Sequence, residues 1–133
     1  MSPSYLNVAD AAPAPPTARY SHAVAAGPFL YVTGQLPVDP DNLAAPLPPD
    51  ITSQTHLVFK NLSRIVAHAG FDLADTVFAR VYLREFKRDY AAMNAVYGEY
   101  FPDDRRLPGR TTVGVTGLAR DALVEIDLVV YRN

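Results

Sequence analysis

Ile51, Thr55, Val58, Phe59, Leu62, Ile65, Val66 and Ala69 return every three or four positions, the repeat that lines one face of an α-helix. A helix over about 52–69 is predicted, with Asp50 or Thr52 able to cap its first amides and Gly70 placed to close it in a left-handed turn. A second helical repeat, Phe86, Tyr90, Met93, Tyr97 and Tyr100 or Phe101, has Asp89 as a candidate cap and stops at Pro102. Between and around these lie runs of strand character: Tyr20–Ala26 and Phe29–Gln35, joined tightly at Gly27-Pro28, then Thr76–Arg84, Arg110–Val115 and Ala122–Tyr131. Residues 1–18, rich in Ala and Pro, have no period and read as a tail or an extended arm. Leu36–Pro49 reads as a loop. The order strand–strand–helix–strand–helix–strand–strand predicts an α+β layer of about five strands with both helices on one face, and no repeat or second domain.

Alternation along the last strand puts Val124, Ile126, Leu128 and Val130 under the helices. The other face then carries Leu123, Glu125, Asp127, Val129 and Tyr131, too apolar for full solvation and too charged for full burial. A subunit interface containing a polar pocket fits this mixture. So does an exposed face with incidental apolar residues, and alternation alone leaves both open. In the preceding strand Thr111, Val113 and Val115 share one side and Arg110, Thr112 and Gly114 the other. Gly114 would leave room there for an approaching group.

Composition narrows the classes. The chain has 133 residues, 49% hydrophobic and 20% charged, enough for a single domain with its own core. A net charge of −2 offers no general attraction for nucleic acid or an anionic membrane. The lack of cysteine excludes disulfides, thiol nucleophiles and thiolate metal sites. His22, His56 and His68 are too scattered to suggest a metal cluster, so no metal and no cofactor is expected. No apolar run has the length of a membrane span and no signal pattern opens the chain, so a cytoplasmic protein is the expectation.

Several segments resemble one family in register. Pro108-Gly109-Arg110-Thr111-Thr112-Val113, Gly117-Leu118 and Val124-Glu125-Ile126 resemble the C-terminal signature of the RidA/YjgF/L-PSP family, including the spacing from Arg110 to Glu125. Tyr20-Ser21-His22-Ala23-Val24 is similar to that family's Tyr-Ser-Gln-Ala-Val, and Val32-Thr33-Gly34-Gln35-Leu36-Pro37 to its Ser-Gly-Gln-hydrophobic-Pro. Gln54-Thr55, Asn61-Leu62 and Met93-Asn94-Ala95-Val96-Tyr97 match its two helices. The resemblance implies an N-terminal arm over 1–17 and, over 18–133, a chorismate-mutase-like α+β fold. It also implies a homotrimer whose sheets form a central barrel, with a cleft between each pair of subunits.

The activity so implied is cofactor-independent hydrolysis of reactive 2-imino acids or enamines to 2-keto acids and ammonia. In that reading Arg110 binds the substrate carboxylate, since a guanidinium offers two parallel donors and stays charged. Glu125 holds or activates the water, Tyr20 closes the cleft, and Thr33, Gly34, Asn94 and Thr112 line it. By residue type alone, Arg110 is a solvated loop residue, Glu125 an outward strand residue, Tyr20 a half-buried strand aromatic and Asn94 a decoration of the helix surface. The sequence departs from the family pattern at Thr112, where many members have Cys, at Gly109 for Ala, at Gly114 for Glu, at Ala18-Arg19 for Gly-Pro, and in the Pro-rich stretch 37–49. Two other functions compete: an L-PSP-type endoribonuclease or translation inhibitor, for which Arg105, Arg106, Arg110 and Arg120 could form a patch, and a non-catalytic trimer that binds small carboxylates. The net acidic charge disfavours nucleic acid as a partner.

Overall fold

The computed structural model describes residues 2–133. Six strands form one mixed sheet: β1 (Ser4–Leu6), β2 (Ala23–Ala26), β3 (Phe29–Gln35), β4 (Thr76–Leu83), β5 (Gly109–Gly114) and β6 (Val124–Tyr131). Their order is β1-β2-β3-β6-β4-β5, antiparallel except for β4 and β5, which run parallel and are joined through a helix. Two helices, α1 (Ile51–His68) and α2 (Phe86–Tyr100), cover one face. The α+β layer expected from the periodicity is present.

The first helix follows its sequence signals closely. Asp50 caps it, its carboxylate accepting from the Ser53 amide at 2.8 Å. At the other end Gly70 takes φ +84°, and the amides of Gly70 and Phe71 donate back to Ala67 and Val66. Those two bonds satisfy carbonyls that would otherwise be orphaned. Its apolar stripe packs on Leu30, Val81, Ile126 and Leu128 of the sheet. Phe59 stacks on Tyr100 of α2 at 4.2 Å between centroids, locking the two helices together.

Three local expectations are corrected. Asp89 is not the cap of α2: the helix begins three residues earlier, after Glu85, and Asp89 lies buried in its first turn, paired with Arg88 at 2.9 Å. Gly114 leaves no opening, because a Cβ there would sit 3.2 Å from Phe86 Cβ. The N-terminal segment, in which no element was expected, contributes β1, and Val8 and Ala11 are core residues. Three residues are too few to show a period. The segment is held by distant groups instead, through pairing with β2 and a ring described below.

Among the described residues no layer covers the second face of the sheet. It presents Tyr5, 70% exposed, and Tyr31, 48% exposed, with Val113 and Tyr131. Beside them lie Phe29, Phe78, Tyr82 and Val129. At the far edge, among the described residues, β5 pairs with β4 alone, so its outer edge is open.

Candidate functional site

Strand pairing decides which of the expected residues meet. Arg110 lies opposite Ala79, and Ala79 opposite Leu128, so Arg110 shares the helix-covered face. Glu125 lies opposite Tyr82, and Tyr82 opposite Val113, on the uncovered face. Within one chain the two are separated by the sheet. The expected residues fall into two clusters.

The first cluster surrounds Arg110 at the β5 edge. Its guanidinium sits 4.7 Å from the centroid of Tyr97 and 5.9 Å from that of Tyr90, with Nη2 reaching the Tyr90 hydroxyl at 3.4 Å. Aromatic faces hold a cation without neutralising it. Tyr90, Asn94 and Tyr97 are spaced i, i+4, i+7 along α2, which stacks them on one stripe beside β5. Asn94 Oδ1, Tyr97 Oη and Thr112 Oγ1 are buried and bond to nothing among the described residues. Buried polar atoms are rarely left orphaned, because each loses its hydration without compensation, so three beside one cation mark a place where a polar group belongs. Burial pushes the Tyr97 hydroxyl pKa up, with Arg110 pulling the other way. Sequence reading assigned Tyr90 and Tyr97 to the apolar stripe; their polar tips, in line with Asn94, were the signal missed.

The second cluster centres on Glu125. Between β3 and β6 the register slips, so that Thr33 and Gly34 together stand opposite Asp127 alone. Such a bulge re-aims the chain locally. Gly34 makes room there: a Cβ at this position would overlap Glu125 Oε2, so the carboxylate rests on the bare α-carbon. Burial first, then the neighbouring Asp127, holds the Glu125 carboxyl above the ordinary carboxylate range. Asp127 is itself engaged by Arg80 Nε and the Tyr82 hydroxyl, both at 2.9 Å. Tyr20 is close enough that Glu125 contributes, after burial, to raising its pKa. Thr33 has a positioning geometry: its hydroxyl donates to the Ser21 carbonyl at 2.7 Å and fixes the segment that carries Tyr20. Gln54 fixes the approach to Glu125 by accepting from the Leu123 amide at 2.8 Å while donating to Pro48.

A cavity of about 270 Å³ adjoins this second cluster, with Tyr20 and Gly34 in its lining. Among the described residues no group of three or more His, Asp or Glu side chains is arranged to hold a metal, and no helix is long and apolar enough to cross a membrane.

Comparisons with known proteins identify the family. The family model for Endoribonuclease L-PSP matches residues 10–132. A RutC family protein of Pyrococcus horikoshii is 39% identical over 118 residues, covering 89% of this chain and 90% of that one. The 3-aminoacrylate deaminase RutC of Acinetobacter baylyi is 39% identical over 117 residues, covering 88% and 90%. The crystal structure of E. coli TdcF with bound serine superposes with a TM-score of 0.87 at 27% identity, covering 98% of this chain and 99% of that one. The chain therefore belongs to the endoribonuclease L-PSP family, the group that includes the RidA, YjgF and RutC proteins.

Proposed function

We propose that the protein hydrolyses 2-imino acids, or the enamines in equilibrium with them, to 2-keto acids and ammonia, in clefts that neighbouring subunits of a trimer build together. The observation that carries this reading is the half-buried guanidinium of Arg110 flanked by three buried polar atoms without partners. A substrate carboxylate would take two parallel N–H bonds from Arg110, each contributing about 1.5–3 kcal/mol. Asn94, Tyr97 and Thr112 would receive its remaining polar contacts or the ordered water beside it.

The acid–base group comes from the next subunit. Arg110 stands on an edge strand, and the uncovered, aromatic sheet face is a surface that association would bury. Docking the β5 edge of one subunit against the β3–β6 bulge of another would bring Arg110 to Glu125, Gly34 and Tyr20. Water then adds to C2 of the imine while Glu125 takes its proton. That proton passes to the nitrogen and gives the carbinolamine; Glu125 then takes the proton of the C2 hydroxyl and delivers it to the amino nitrogen, so that the C–N bond breaks and ammonia leaves as the ketone forms. A carboxyl with a raised pKa suits both halves of that transfer, worth roughly 10²–10⁴ in rate. The deaminase named among the relatives supports the reaction class, and the serine bound in TdcF supports a small carboxylate ligand.

The test couples an amino-acid oxidase, which releases imine, to semicarbazide, which traps it. Added protein is expected to divert imine to keto acid before trapping. Unchanged trapping, with small carboxylates still bound, would leave a binding protein; RNA degradation without imine hydrolysis would leave a ribonuclease.

A further inference from the structure

The cavity beside Gly34 has a construction that the reaction alone does not require. One wall is the arm, Ala12 to Pro16; the other is the loop that follows β3, including Leu36, Val38 and Leu43. A single buried side chain ties the walls together: Asn61 of α1 accepts from the Ala12 amide through Oδ1 and donates to the Val38 carbonyl through Nδ2, both at 2.8 Å. His22 fastens the arm a second time. The Val8 amide can only donate, so Nδ1 is the acceptor at 2.8 Å, and Nε2 therefore carries the proton given to the Ala12 carbonyl at 2.7 Å. Arg64 completes the clamp, bonding the Asp10 carbonyl from the arm and both carboxylate oxygens of Asp41 from the loop. Proline-rich walls held this way lose little entropy when a ligand enters.

The interior chemistry is apolar. Among the described residues Arg120 is the one charged residue of the lining, and its exposed side chain belongs to the rim. A substrate methyl or ethyl group, comparable to one or two waters of about 30 Å³ each, would leave most of the 270 Å³ empty.

We infer that this cavity is the subsite for the substrate's side chain and that it selects large aliphatic 2-imino acids, of leucine or methionine size, over those of alanine size. The inference rests on the imine-hydrolase reading for its substrate, while the arm and loop that build the subsite are features of this chain. Apolar pockets discriminate by roughly 10–200-fold for each methylene they accommodate, so kcat/KM for the leucine-derived imine is expected to exceed that for the alanine-derived imine at least tenfold.

The experiment compares both imines in the oxidase and semicarbazide assay, using the full-length protein and the variants Leu36→Trp and Ala14→Phe, which fill the cavity from opposite walls. The leucine-to-alanine ratio is expected to fall at least tenfold in both variants, with circular dichroism checking the fold of each. In parallel, calorimetry measures binding of 4-methyl-2-oxopentanoate and of pyruvate to the unmodified protein, with the larger keto acid expected to bind at least tenfold more tightly. A ratio near one, or one that neither filled variant changes, would overturn the subsite and leave the hydrolase reading standing. Failure to hydrolyse any imine would overturn the hydrolase reading, and equal binding of the two keto acids would then remove the subsite as well.

Discussion

The two faces of the sheet do opposite things with their polar groups. On the helix side, the Arg110 cluster keeps a cation against aromatic rings and leaves Asn94, Tyr97 and Thr112 without partners. On the open side, Glu125 lies in a bulge against a glycine, beside another carboxylate, with no cation contributing to its pKa. Among the described residues the guanidinium has no anion beside it, and the carboxyl is raised by burial and by its neighbour; the proposed cleft would bring these two groups together. In the proposed cleft the substrate carboxylate would occupy the Arg110 donors, so that Glu125 is not drawn into a salt bridge that would lower its pKa and make it a poorer proton carrier.

The sharpest way to break this comparison is at Arg110. Arg110→Ala removes two charge-assisted bonds, and kcat/KM for imine hydrolysis is expected to fall about 10²–10⁴-fold. The proposed trimer should remain intact on size exclusion with light scattering, since the aromatic stripe of α2 stays in place. Arg110→Lys should recover only part of the loss, because an ammonium does not reproduce the paired donors.

Gly34→Ala tests the other half. The new methyl must push the Glu125 carboxylate aside, and a displacement of about 1 Å at a reacting group can cost roughly 10²-fold in turnover. Only the end of a flexible side chain needs to move, so the melting temperature should change little; a folded variant with full activity would remove Glu125 from the mechanism.

Glu125→Gln has a comparable and more diagnostic signature. Turnover should fall about 10²-fold or more while binding of a keto acid persists. Stability should move the other way. Because the folded-state pKa is raised, the wild-type chain loses stability as pH rises from the ordinary carboxylate value through the folded one. The Gln variant escapes that loss, so its melting temperature should exceed the wild type's at pH 8, with the difference closing toward about pH 4. The acid limb of the wild-type pH–rate profile should likewise sit above the ordinary carboxylate range. Tyr20→Phe should have the least effect, a severalfold drop in turnover, since the ring that flanks Glu125 is retained.

Much of this was legible in the sequence, for identifiable reasons. The stripe of α1, its Asp50 cap and its Gly70 closure are local signals, and the structure follows them. The alternation of β6 located its buried face, and the motifs around Arg110 and Glu125 pointed to the family whose model matches residues 10–132. Other features depend on groups far away along the chain. Ser4–Leu6 is a strand because β2 and His22 hold it, and Gly114 is crowded because Phe86 folds over it. Gly109, which departs from the family's alanine, fits for a similar reason: a Cβ there would lie 2.9 Å from the Phe78 ring. The assignment of Arg110 and Glu125 to opposite faces was also hidden. Alternation gives the parity within a strand, but only the pairing through β4 relates one strand's parity to another's.

Mixing two inactive variants tests the shared cleft most directly. Arg110→Ala and Glu125→Gln subunits, unfolded and refolded together in equal amounts, would each supply the group that the other lacks. In a cyclic trimer every mixed assembly contains one intact cleft, so random mixing should restore about a quarter of wild-type activity. The account predicts that recovery; a mixture as inactive as its two components would contradict it.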